Sequence, residues 1–138
     1  MKVQAYISYR GRCEDALEFY KKAVGAEVTG LMRWKECPDA TMTAPPGFDE
    51  KVMNAAFRIG DTQLMADDSP GEAPAEFKGV TLVIEVGDDA EAQRVFTALA
   101  EGGKVTMGLM KTFWTSSFGM LTDKFGVPWM VNVAAPKA

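Results

Sequence analysis

Two spacings of apolar residues alternate along this chain. Ala16, Phe19, Tyr20, Ala23 and Val24, and later Ala92, Val95, Phe96, Leu99 and Ala100, recur at i, i+3, i+4, i+7 and i+8. That spacing gathers each set on one side of a helix, so it predicts two amphipathic helices. Elsewhere the pattern shortens to strict alternation or brief apolar runs. These predict strands over residues 3–9, 27–34, 52–59 and 62–66 around the first helix, and over 79–86, 105–112, 117–122 and 127–133 around the second. The predicted order is βαβββ, twice.

Punctuation between these segments agrees with the periods. Glu14 and Asp15 fall in the first turn of a helix starting near Cys13, Lys21 and Lys22 in its last, and Gly25 follows, as the helix dipole and a left-handed terminator require. Asp88 or Asp89 can cap the second helix, and Gly102 and Gly103 stop it. Pro38, Pro45, Pro46 and Gly47 predict a long loop, and Gly60 with Asp61 a hairpin turn. Residues 69–78 have linker composition, which divides the chain into modules at 1–68 and 79–138, the latter ending in a loose tail over 134–138.

A repeat supports this division. Residues 25–34 (GAEVTGLMRW) return as residues 103–114 (GKVTMGLMKTFW) with a short insertion, each copy just after a helical segment. Internal self-similarity is a stronger fold signal than local propensity, and it predicts an α+β protein of two tandem βαβββ modules. A module of about sixty residues buries too little surface to stand alone. The two are therefore expected to form one compact unit, within a chain or across a homodimer.

Length and composition narrow the function classes. At 138 residues and 47% apolar content the chain can bury a real core. Its net charge of −4, with no cluster of Lys and Arg, offers no footprint for nucleic acid or anionic lipid. Neither a charged-then-apolar leader nor a bilayer-length apolar run is seen, so a cytoplasmic protein is expected. The two cysteines, Cys13 and Cys37, are too few for a disulfide framework. A helix start can activate the Cys13 thiol, but the chain has no His to serve as its base, and an inert thiol is the stronger reading.

Particular phrases carry a family resemblance. YISY at 6–9, ALEFY at 16–20, GAE at 25–27, FW at 113–114, FG at 118–119 and DKFGVPW at 123–129 together resemble the PhnB-like branch of the vicinal oxygen chelate superfamily, which includes glyoxalases, bleomycin-resistance proteins and dioxygenases. The resemblance spans nearly the whole chain and implies paired modules with curved sheets. It also implies, for catalytic members, a divalent metal held by His, Glu or Gln side chains. The corresponding positions here are Ala5, Leu64 or Met65, Val80 or Thr81, and Met130, and Asn54 stands where the branch commonly has His. None is a useful ligand, so no metal and no cofactor are expected. The methyltransferase-like label often given to this branch gains nothing from the residues, which show no Gly-rich strand-to-helix turn.

What remains is a concave sheet rich in aromatic and thioether side chains, with Tyr6, Tyr9, Trp34, Phe113, Trp114, Phe118 and Trp129 among them. Such a surface suits a small apolar or aromatic ligand positioned by a few polar groups. The expected ligand-binding residues are Tyr6, Ser8, Asn54, Arg58, Asp67, Trp114 and Trp129. Alternation puts Asn54, Ala56 and Arg58 on the concave side of their strand, where Arg58 can meet an anionic ligand group or pair with Asp67 or Glu85. Two other readings stand beside this one: a glyoxalase- or dioxygenase-type enzyme with an unusual ligand set, and a subunit acting through protein contacts alone.

Overall fold

In a computed structural model, which describes residues 1–39, 41–69 and 75–135, the two periodic segments are helices α1 (Cys13–Val24) and α2 (Asp89–Ala100). Gly25 ends α1 in the left-handed region at φ 69°, its N–H returning to the Lys21 carbonyl. Asp88 caps α2 by accepting from the Glu91 N–H at 2.8 Å. The strands are β1 (Tyr6–Ser8), β2 (Glu27–Arg33), β3 (Val52–Ile59), β4 (Thr62–Asp67), β5 (Leu82–Val86), β6 (Lys104–Met110), β7 (Phe118–Thr122) and β8 (Pro128–Val133). A 3₁₀ turn, Trp34–Glu36, follows β2.

The strands form two four-stranded sheets with the same connectivity, β1-β4-β3-β2 and β5-β8-β7-β6. In each, the first strand pairs parallel with the last and the other pairings are antiparallel. This is the α+β arrangement of two βαβββ modules. The described chain falls into two compact units, Met1–Ala75 and Glu76–Ala138. Residues 70–74 of the expected linker and 136–138 of the expected tail lie outside the described residues.

One face of each sheet is sealed by its helix. Tyr20 stacks on Phe57 with ring centroids 6.2 Å apart, its hydroxyl 3.0 Å from that of Tyr9, among buried Ile7, Ala16, Leu17, Leu64 and Ala66. In the second unit Ala92, Val95, Phe96 and Leu99 of α2 are buried, as are Leu121, Trp129, Val131 and Val133 of the sheet. Packed this way, each unit gains roughly 25 cal/mol per Å² of apolar surface removed from water.

The repeated stretch lies on β2 and β6, the edge strands. Val28 pairs with Phe57 and Met32 with Asn54, while Val105 pairs with Leu121 and Met110 with Phe118. The second copy holds one more residue between these points, and an added ladder irregularity between Met107 and Met110 takes it up as a bulge. Two predicted strands are shorter than their apolar runs. Gly79, at φ 75°, turns the backbone before β5, so the ladder starts at Leu82 instead of 79; β1 keeps its register with β4 only from Tyr6 to Ser8.

Candidate functional site

Burial decides which side of each sheet is open. In the first unit Ile7, Ala55, Phe57, Leu64 and Ala66 lie under α1, leaving Tyr6 and Ser8 of β1, Asn54, Ala56 and Arg58 of β3, and Met65 and Asp67 of β4 on the other face. The division expected for β3 is therefore seen over residues 54–58. Val52 departs from it and is buried, because a register shift beside Arg33 turns the strand there. On β1, where alternation left the faces unsorted, Tyr6 and Ser8 lie opposite Ile7, and Tyr9 belongs to the core.

Asp67 organises this open face. Parallel pairing sets Ser8 opposite Asp67, and the Ser8 hydroxyl donates to Asp67 Oδ1 at 2.6 Å. The Tyr6 hydroxyl donates to Oδ2 at 2.8 Å. Asn54 reaches the same phenol from β3. Burial, then the hydrogen bond and charge of Asp67, push the Tyr6 phenol well above its ordinary range, so it remains a donor. Four of the expected residues, Tyr6, Ser8, Asn54 and Asp67, thus meet in one hydrogen-bonded group.

Arg58 does not join them. Its guanidinium donates to Glu27 at 2.6 Å on the neighbouring edge strand, correcting the pairing with Asp67 or Glu85. Glu85 is exposed on β5 in the other unit.

Sequence reasoning did not foresee the structural part played by Asp68, the last residue of the expected first module. Its buried carboxylate accepts from the N–H groups of Gly11 at 2.7 Å, Cys13 at 2.9 Å and Val52 at 3.0 Å, tying the turn before α1 to the start of β3. A carboxylate one position beyond a strand gives no local sign of such partners. Cys13 sits beside it, fully buried, and desolvation followed by the charges of Asp68 and Asp67 raises its thiol far above the reactive range. We expect a thiol reagent to label Cys37 and leave Cys13 untouched in the folded protein; rapid native-state labelling at both would contradict this burial.

In the second unit the two expected tryptophans part company. Trp114 is 47% exposed, packs edge-on against Phe113 and Phe118, and donates through Nε1 to Asn132 Oδ1 at 3.1 Å. Trp129 is 3% exposed on the helix side of β8 and donates to the buried Asp123 at 2.9 Å. Trp129 is therefore a core residue and not part of the open face. Alternation along β8 puts Met130 and Asn132 opposite it, and Asn132, which the sequence reading did not single out, holds the Trp114 indole.

The metal implied by the resemblance meets no imidazole and, among the described residues, no converging set of ligands. The open-face positions of the parallel strand pairs carry Tyr6, Ser8, Met65 and Asp67 in the first unit and Val83, Glu85, Met130 and Asn132 in the second. Of the positions considered from the sequence, Leu64 is buried under the helix and Ala5 precedes β1. Among the described residues no three of His, Cys, Asp and Glu converge. These residues do not fit a transition-metal site.

With this geometry established, similarity to known proteins locates the chain. It is 36% identical to Protein YjdN of Escherichia coli (strain K12), over 96% of this chain and 95% of that protein. The structure of protein PA1353 from Pseudomonas aeruginosa superposes with a TM-score of 0.85 at 37% identity, covering 96% of this chain and 97% of the other. That of the PhnB protein from Bacillus cereus superposes with a TM-score of 0.82 at 26% identity, covering 97% and 100%. Residues 2–131 match the family's own pattern, which places the chain in the Glyoxalase/Bleomycin resistance protein/Dioxygenase superfamily.

Proposed function

We propose that this member of the superfamily is a small-molecule binding protein that takes an apolar or aromatic ligand on the open faces of its sheets and uses no protein-held metal. The observation that carries the reading is that each unit leaves one sheet face open, with a fixed polar group on the first and uncovered soft apolar surface on the second. Tyr6 and Ser8 hold Asp67 in one unit, with Asn54 beside the Tyr6 hydroxyl, while Trp114, Met107 and Met110 stand exposed in the other. A few oriented polar groups amid apolar contacts suit capture of a small ligand. The exposed Val83, Val105 and Phe113 favour a homodimer in which a second copy covers part of the surface. Among the described residues no helix is long and apolar enough to cross a membrane. A cytoplasmic location is part of this proposal.

Tag-free protein tests this reading directly. Elemental analysis is expected to find no stoichiometric Zn, Ni, Fe or Mn, and indole- or naphthalene-based compounds are expected to raise the melting temperature. Asn54→Ala and Trp114→Ala should each weaken that stabilisation. A stoichiometric metal, or stabilisation unchanged in both variants, would replace this reading with the metalloenzyme or with a different site.

A further inference from the structure

We infer that the ligand group received by the first unit is a cation, an ammonium or amidinium, seated on Asp67; this rests on the small-molecule reading above and names the chemistry of its polar end. Three observations converge on it. Each Asp67 oxygen already holds one neutral hydroxyl, from Ser8 and Tyr6, which fixes the carboxylate without neutralising it. Among the described residues no Lys or Arg lies within ion-pair distance of Asp67. The guanidinium expected to serve that face, Arg58, pairs with Glu27 and not with Asp67.

The ladder adds a place for the rest of such a molecule. Across the sheet, Tyr6 pairs with Met65, Met65 with Ala56, and Ala56 with Gly30. This row lies between the Ser8–Asp67 pair and the Gln63–Arg58–Glu27 row. Small side chains at Ala56 and Gly30 leave a low floor beside the Met65 thioether, and a Cβ built on Gly30 would meet no atom within 4 Å. An apolar body lying on this floor can direct a cationic end to Asp67, whereas a carboxylate there would face like charge. Because the Tyr6 phenol holds its proton throughout the physiological range, it cannot offer a compensating change of its own.

The experiment compares three probes with the same apolar body, naphthylmethylammonium, naphthylmethanol and naphthoate, by isothermal titration calorimetry with the full chain. The ammonium is expected to bind on the order of tenfold more tightly than the alcohol, the scale of one charge-assisted hydrogen bond, with the carboxylate weakest. Asp67→Asn should erase the preference while still binding the alcohol, and Glu101→Gln, an exposed change of equal charge in the other unit, should leave it intact. Should Asp67→Asn fail to fold, Asp67→Ser carries the same readout. Equal binding of all three, a preference for naphthoate, or an ammonium preference that survives in the Asp67 variant overturns the inference and leaves small-molecule binding standing. If no probe binds, the inference and the reading beneath it fall together.

Discussion

Replacing Asp68 by Ala is expected to destabilise the first unit by about 3–5 kcal/mol, the scale of several buried backbone donors losing their acceptor together. Three backbone donors converge on this side chain, and two of them, on Cys13 and Val52, belong to buried residues. Without the carboxylate each must be rehydrated or left unsatisfied, at about 1–3 kcal/mol apiece. A single domain has only about 5–15 kcal/mol in total, so the loss would be large. Asp68→Asn keeps one acceptor oxygen but turns an amide N–H₂ toward a donor, and should fall between wild type and Ala. The effect reaches the candidate site because Asp68 follows Asp67 directly, and the Tyr9 N–H bonds to the Asp67 carbonyl at 2.9 Å. Denaturant unfolding followed by Tyr and Trp fluorescence measures the cost. A loss below about 1 kcal/mol for Asp68→Ala would mean that water replaces the carboxylate freely and that these bonds do not hold the turn.

The second large effect is expected at Gly103. A Cβ there would lie 2.2 Å from the Thr122 carbonyl oxygen and within 3.0 Å of two backbone atoms of Asp123. Backbone cannot rotate away as a side-chain tip can. Gly103→Ala must therefore push the start of β6 off β7, where Lys104 pairs with Thr122, at a cost of about 3 kcal/mol or more. Its neighbour Gly102 does a different job. It adopts φ 72°, and an added Cβ would meet only the Lys124 side chain, at 3.3 Å, so Gly102→Ala should cost about 1 kcal/mol from left-handed strain. Read as sequence, the pair is one helix stop; in the structure only Gly102 supplies the turn, and Gly103 is required by close backbone approach. Equal melting temperatures for the two variants would remove this distinction. Displacement at Gly103 would also disturb Asp123, which accepts from Phe125 and Val127 N–H groups and from Trp129.

Residues that read well locally behave as expected. The helical stripes face the core because a 3.6-residue period leaves each amphipathic segment one way to hide its apolar side. Gly25 and Asp88 end and begin helices through contacts a few residues away. The open side of β3 followed from alternation, since successive side chains must point to opposite faces. Arg58 and Trp129 differ in kind. The nearest partner for Arg58 is Glu27, thirty-one positions back along the chain and across a ladder. Trp129 could line either face until β8 pairs with β5 and β7 and α2 covers one side.

The chain by itself determined two helices, the βαβββ order repeated once, the glycine and aspartate boundaries, and the want of imidazole for a metal or a covalent catalyst. These depend on neighbours within a turn or on residue type alone. Tertiary structure decided which polar groups stay available. It set Tyr6 and Ser8 on Asp67, drew Arg58 to Glu27, buried Trp129 with Asp123 and sank Asp68 beneath the turn before α1. The physical reason is that hydrogen bonds and ion pairs close across ladders and helix faces between residues far apart in sequence. Propensity and period fix where a side chain points, but the partner waiting there is set only when the strands find their register.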